Sequence, residues 1–188
     1  SIFMGKILAP NNIFAAFFTR FSFMLFSVYG PIRKYFSQMK FKPEPYFKEG
    51  LLWYSNNKKY NRMIGRLFPQ PLVEDSKGNQ FLLDKLYDHK FVVIVFSKMP
   101  EKQINDDLIK EFLSRDISII GVTPEWVNPS LANFNIVRDV SNLLSKKSFL
   151  VYLDKAFFVR PDRYVAAISS INSISSLTCI ADEIQNKA

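Results

Sequence analysis

The hydrophobic positions of this chain change period along its length. In the first stretch Phe14, Phe17, Phe18, Phe21, Met24, Leu25 and Val28 share one face at 100° per residue, with Asn12, Thr19, Arg20 and Ser27 opposite. That spacing predicts a helix from Asn11 or Asn12 to about Tyr29, where Gly30-Pro31 stops it. Phe23 and Phe26 fall in the polar sector of this helix and call for a second covering surface. A shorter helix is expected over residues 32–39, followed by an extended stretch enforced by Pro43 and Pro45. From there to about Arg66 the chain is polar, basic and weakly periodic, with Ser55-Asn56-Asn57-Lys58-Lys59 as an exposed loop.

From Phe81 onward the apolar residues form short regular phrases. Residues 81–87 predict a short helix or a strand running into one. Residues 91–96 are an unbroken β-branched and aromatic run, which marks a strand buried on both faces. Ile104, Leu108, Ile109 and Phe112 recur at helical spacing, and residues 117–122 give a second buried strand. Strand, helix and strand with short joints form a βαβ crossover, so the two strands are expected to be parallel. A further helix is expected over 141–146. Residues 157–159 and 164–168 then pair as a hairpin around Arg160, Pro161, Asp162 and Arg163, with Pro161 at i+1 and Asp162 at i+2 of a type I turn. A last helix over about 173–186 puts Leu177, Ile180 and Ile184 on one face. The expected fold is α/β: a thioredoxin-like domain (βαβ, helix, β-hairpin, helix) preceded by an N-terminal helical and extended arm.

Composition narrows the chemistry. The 188 residues hold one cysteine, Cys179, and one histidine, His89, so a disulfide framework, a Cys/His zinc site and a CxxC redox pair are excluded by counting. A redox role in the expected fold needs a cysteine just after the strand at 91–96, and Ser97-Lys98-Met99-Pro100-Glu101-Lys102 stands there instead. Cys179 reads as a small core residue. Asp106, Asp107 and Glu111 read as a solvated helix face, and His89 as an exposed turn residue without a nucleophile. The net charge is +8, and residues 1–66 hold eleven Lys and Arg against two acidic residues, so nearly the whole excess lies in the first third. The aromatics lie at core spacing rather than in a base-stacking pattern, which argues against nucleic acid. The first helix is interrupted by Arg20 and too short to span a membrane. A lone thiol fits a cytoplasmic location.

The six glycines never take the GxGxxG or GxxxxGK spacing that cradles phosphates, so no catalytic, cofactor-binding or metal site is expected. Other phrases carry a resemblance. Met39-Lys40-Phe41-Lys42-Pro43 with Pro45-Tyr46 and Gly50, then Gly65-Arg66-Leu67-Phe68-Pro69-Gln70-Pro71, Leu82-Leu83-Asp84, the strand at 91–96 and Val159-Arg160-Pro161-Asp162-Arg163-Tyr164-Val165-Ala166-Ala167 make a spaced set. In these the chain resembles the C-terminal region of FAD-dependent aromatic-ring hydroxylases of the phenol hydroxylase and 3-(3-hydroxyphenyl)propionate hydroxylase kind. The resemblance implies that residues 1–62 are helices and connector from the tail of a catalytic region. It makes residues 63–188 a thioredoxin-like C-terminal domain without redox cysteines. Its parent would be a monooxygenase using FAD and NADH or NADPH, with flavin and substrate domains preceding Ser1, which stands inside an apolar phrase. The domain itself would be catalytically inactive, and partner contacts or a homodimer are its implied roles. Arg160, Pro161, Asp162, Arg163 and Tyr164 would then be a family-signature structural turn. The alternative is a stand-alone, redox-inactive thioredoxin-like module that binds proteins.

Overall fold

The computed structural model describes residues 13–28, 45–55, 58–87 and 89–185. They fall in two compact units, divided after Glu44. The first unit contributes one described helix, α1 (Ile13–Val28). Along it Ile13, Phe14, Phe17, Phe18, Phe21 and Met24 are all exposed, Phe17 to 72%. The expectations for Phe23 and Phe26, for a helix at 32–39 and for the stop at Gly30-Pro31 lie outside the described residues and side chains.

The second unit is built on a seven-stranded sheet. Its strands are β1 (Leu72–Glu74), β2 (Gln80–Leu82), β3 (Val92–Phe96), β4 (Ser118–Thr123), β5 (Asn135–Asp139), β6 (Lys155–Val159) and β7 (Val165–Ser170). They stand in the order β2-β1-β5-β4-β3-β6-β7. β3 pairs in parallel with β4, and β4 with β5, while β6 and β7 run antiparallel on the other side of β3. Every residue of β3 is fully buried, as a central strand covered on both faces requires. Val92, Ile94 and Phe96 point to one face and Val93 and Val95 to the other.

The two faces are covered differently. On one, α2 (Asp106–Leu113) and α3 (Ser176–Gln185) bury Ile109, Phe112, Leu177, Ala181 and Ile184. Asn105 starts α2 by accepting the Leu108 amide through its side chain, at 2.9 Å. On the other face no helix longer than one short 3-10 turn of this unit packs among the described residues. Aromatic rings fill the space: Phe68 packs edge-on against Phe157 at 5.1 Å between centroids, and Phe149 stacks on Phe157 at 5.8 Å.

Two features depart from the sequence reading. Residues 141–146 form turns rather than a helix, because the buried Asp139 carboxylate accepts the amides of Leu144 and Ser145 at 2.6 and 3.1 Å and diverts them from a helical ladder. Cys179 is exposed, since Leu177 and Ala181 hold the buried face of α3 and residue 179 lies on the opposite side. The second compact unit begins at Pro45. Residues 53–68 cover the start of β7 and the turn before it: Trp53 donates its amide to Ala166 O, Gly65 to Val165 O and Phe68 to Arg163 O.

Candidate functional site

Two places can bear function. The first lies at the carboxyl end of β3, where open α/β sheets collect ligands. Ser97 follows the strand and is fully buried. Its hydroxyl donates to Asp154 Oδ1 at 2.7 Å and accepts the Met99 amide at 3.3 Å. Asp154, at φ +58°, also donates its amide to Phe96 O and accepts the Ile171 amide. A serine against a carboxylate has the makings of a nucleophile, but this hydroxyl is enclosed and the chain's one histidine sits elsewhere. The pair ties the end of β3 to the loop before β6 and the turn after β7.

The second place is the turn from 160 to 164, and here the signature phrases meet. The Arg163 amide closes the turn on Arg160 O at 2.8 Å, as the Pro-Asp pair predicts, and Arg160 N donates to Tyr164 O at 2.9 Å. Arg163 takes φ +69°, the left-handed position of a three-residue hairpin loop that glycine usually fills. A bulge in the β6–β7 register accompanies it between Phe158 and Val159. Asp162 accepts the Arg160 guanidinium at 2.6 Å and the Tyr164 amide at 3.3 Å.

Residues 65–71 lie against this turn. Leu67 bridges Tyr164, and Val165 donates its amide to Arg66 O. Phe47 packs edge-on against Tyr164 at 4.6 Å and under the Arg160 guanidinium at 5.8 Å. Gly65 has to be glycine: it holds φ +77°, and a Cβ there would stand 2.0 Å from Phe47 O. Gln70 hydrogen-bonds Asp84, whose carboxylate also faces the Arg163 guanidinium at 3.8 Å. Burial pushes the Tyr87 phenol up from its ordinary pKa, with the charge of Arg163 pulling the other way. Between the turn and residues 84–89 lies a cleft of about 400 Å³ lined by Asp84, Lys85, Tyr87, His89, Pro161, Asp162 and Arg163.

The turn was legible as a turn. Its meeting with residues 65–71 and Asp84 was not, since no local periodicity records a contact across ninety residues of chain. Lys85, Tyr87 and His89 were missed as neighbours for the same reason. Asp106 and Asp107 are exposed on α2, while Glu111 is half-buried and pairs with Arg115 at 3.4 Å.

A dinucleotide needs a glycine turn between a strand and a helix. Among the described glycines, Gly121 lies inside β4 against Pro100, Gly65 sits against Phe47, and Gly50 and Gly78 occupy turns remote from any helix start. The described glycines therefore form no dinucleotide-binding turn of the kind FAD needs. No group of acidic, His or Cys side chains suited to a metal occurs among the described residues. No described helix is long and apolar enough to cross a membrane.

Strand order, the βαβ crossover and the closing hairpin and helix define a thioredoxin-like α/β domain. A Cys-to-Ser mutant of the peroxiredoxin 6 of Arenicola marina superposes with a TM-score of 0.50 over 65% of this chain and 73% of its own, at 14% identity. Peroxidoxin BcpB from Mycobacterium tuberculosis gives the same TM-score over 65% and 97%, at 16% identity. The HcaD C-terminal domain model matches residues 65–182, and the chain belongs to that family. It is 29% identical over 190 residues to the 3-(3-hydroxy-phenyl)propionate/3-hydroxycinnamic acid hydroxylase of Klebsiella pneumoniae, covering 98% of this chain and 34% of the relative. The enzyme of that name from Mycolicibacterium vanbaalenii is 27% identical over 170 residues, covering 88% and 30%. The chain thus spans about a third of the length of these curated relatives, and corresponds to the C-terminal region of such a hydroxylase.

Proposed function

We propose that the chain serves as the C-terminal structural domain of an FAD- and NAD(P)H-dependent monooxygenase that hydroxylates an aromatic substrate, and that it performs no catalysis by itself. The observation that carries this reading is the extent of the similarity. It runs over 98% of the chain and so includes the arm and first helix as well as the thioredoxin-like unit. The buried Ser97, where a redox thioredoxin needs an accessible thiolate, supports the inert part of the reading. The apolar residues exposed along α1 are then the surface that meets the flavin and substrate domains. Dimerisation through the thioredoxin-like unit belongs to the same proposal.

The purified chain mixed with FAD and NADH is expected to keep no flavin absorbance through gel filtration and to oxidise no NADH. Turnover by the chain alone sinks the inert reading. Sequencing the gene upstream of Ser1 is expected to show a GxGxxG segment in frame, whereas a start codon a few residues away sinks the hydroxylase reading. Light scattering across a concentration series reads the dimer.

A further inference from the structure

The cleft beside the 160–164 turn has features that neither a hairpin nor an inert scaffold requires. Its volume of about 400 Å³ lies within the roughly 300–1,000 Å³ span of small-molecule sites. Tyr87 and Pro161 supply apolar wall, and Lys85, His89 and Arg163 supply nitrogen donors. The two acids among the described lining residues are already engaged: Asp162 holds Arg160 at 2.6 Å and the Tyr164 amide, and Asp84 holds Gln70. Lys85 and His89 are exposed and have no hydrogen-bond or ion-pair partner among the described residues.

Arg163 is the telling residue. Its side chain keeps 32% of its surface exposed, meets Asp84 in a loose 3.8 Å contact and hydrogen-bonds the Tyr87 phenol, and its Nε is buried without an acceptor. Buried donors are normally paired, and guanidinium binds carboxylate best through two parallel N–H bonds. The left-handed backbone at 163 is costly for a non-glycine residue. An arginine held there with its Nε unused and only a loose contact to its carboxylate neighbour, facing a cleft with one more cation and an aromatic wall, points to an anionic ligand that has an apolar body.

We propose that this cleft binds the carboxylate of a small amphipathic acid, with Arg163 gripping the carboxylate, Lys85 adding charge, and Tyr87 and Pro161 packing the apolar part. The site belongs to this unit alone and does not depend on the hydroxylase reading.

The test is a titration of the full chain followed by NMR. His89 is the only histidine, so its ring proton is a unique reporter on the cleft, and the Arg163 Nε–H is a second. With 3-phenylpropionate both signals are expected to shift saturably, with half-saturation on the order of 1 mM, as suits about eleven heavy atoms in an open cleft. The uncharged 3-phenylpropanol should move neither. Lys85→Gln, at an exposed position, should weaken binding about threefold. Arg163→Asn, which keeps a residue tolerant of left-handed backbone, should weaken it about tenfold or more. An unsaturating response, an equal response to the alcohol, or unchanged affinity in a folded Arg163→Asn chain overturns the proposal. Inorganic phosphate binding more tightly than the carboxylate also overturns it, by assigning the cleft to a different anion.

Discussion

Asp139 shows how one side chain redirects a segment. Its carboxylate is fully buried and accepts from Ser141 Oγ, Leu144 N, Ser145 N and Ser145 Oγ, while Ser145 Oγ in turn accepts the Glu125 amide. Asp139→Ala strands two buried amides, and a loss of about 3 kcal/mol or more is expected from bonds to a charged acceptor. Urea denaturation should show it as a lower midpoint at unchanged slope. Gly65→Ala meets Phe47 O and a forbidden backbone at once, and should cost more than about 2 kcal/mol. At residue 163 the sign reverses: Arg163→Gly relieves the left-handed backbone and should stabilise the chain by up to about 1 kcal/mol, while removing the proposed carboxylate grip. Asp182 supplies a pH dependence. The Arg115 guanidinium, bonded to it at 2.6 and 3.1 Å, holds its carboxyl below the ordinary value. A carboxyl depressed in the folded state adds stability above its unfolded pKa, about 4. That contribution fades as the pH falls through the folded value. Asp182→Asn is therefore expected to lower the midpoint at neutral pH and flatten its fall in acid.

At the scale of elements, the cover over the start of β7 governs how the sheet meets other chains. A free edge strand templates pairing with a second copy, but here the amides of Trp53 and Gly65 already occupy the carbonyls of Ala166 and Val165 at the start of β7, and that of Phe68 the Arg163 carbonyl just before it. Those three amides are expected to be protected in hydrogen exchange. Trp53→Ala, which removes the indole bond to Glu183 at 2.9 Å, should release the residue-53 amide while leaving those of β3 slow. Exchange at the free-peptide rate at residue 53 in the unaltered chain would mean the edge is open. The elements legible in the sequence were those with strong period or continuous apolar runs: β3, β4, α2, the hairpin and α3. β1 and β5 escaped because each is short and mixes charge into its pattern, Leu-Val-Glu and Asn-Ile-Val-Arg-Asp. Those charges are satisfied across the sheet by the Arg138–Glu74 pair at 2.5 Å, a long-range fact that no local window contains.

At the scale of the molecule, one face of the sheet is packed with interlocked aromatic rings. Phe157 touches Phe68, Phe149 and Tyr152 at once, so Phe157→Ala should cost about 3–5 kcal/mol, read by calorimetry or urea. The fold class was legible because element order survives even when two strands are overlooked. The cleft was legible only in part: the sequence marked Arg163 within a signature turn but held no sign that Asp84, Tyr87 and His89 would face it.

The arm that covers the start of β7 also sets a schedule. Trp53 meets Glu183 across 130 residues of chain, so the segment made first in this unit closes on the segments made last. During synthesis residues 46–55 can pair early with Asn61, Gly65 and Arg66, but Trp53 has no partner until β7 and α3 have left the ribosome. A ribosome that stalls before residue 165 therefore leaves the Trp53 amide and indole without their partners, Ala166 and Glu183, and that end of the segment open to proteolysis.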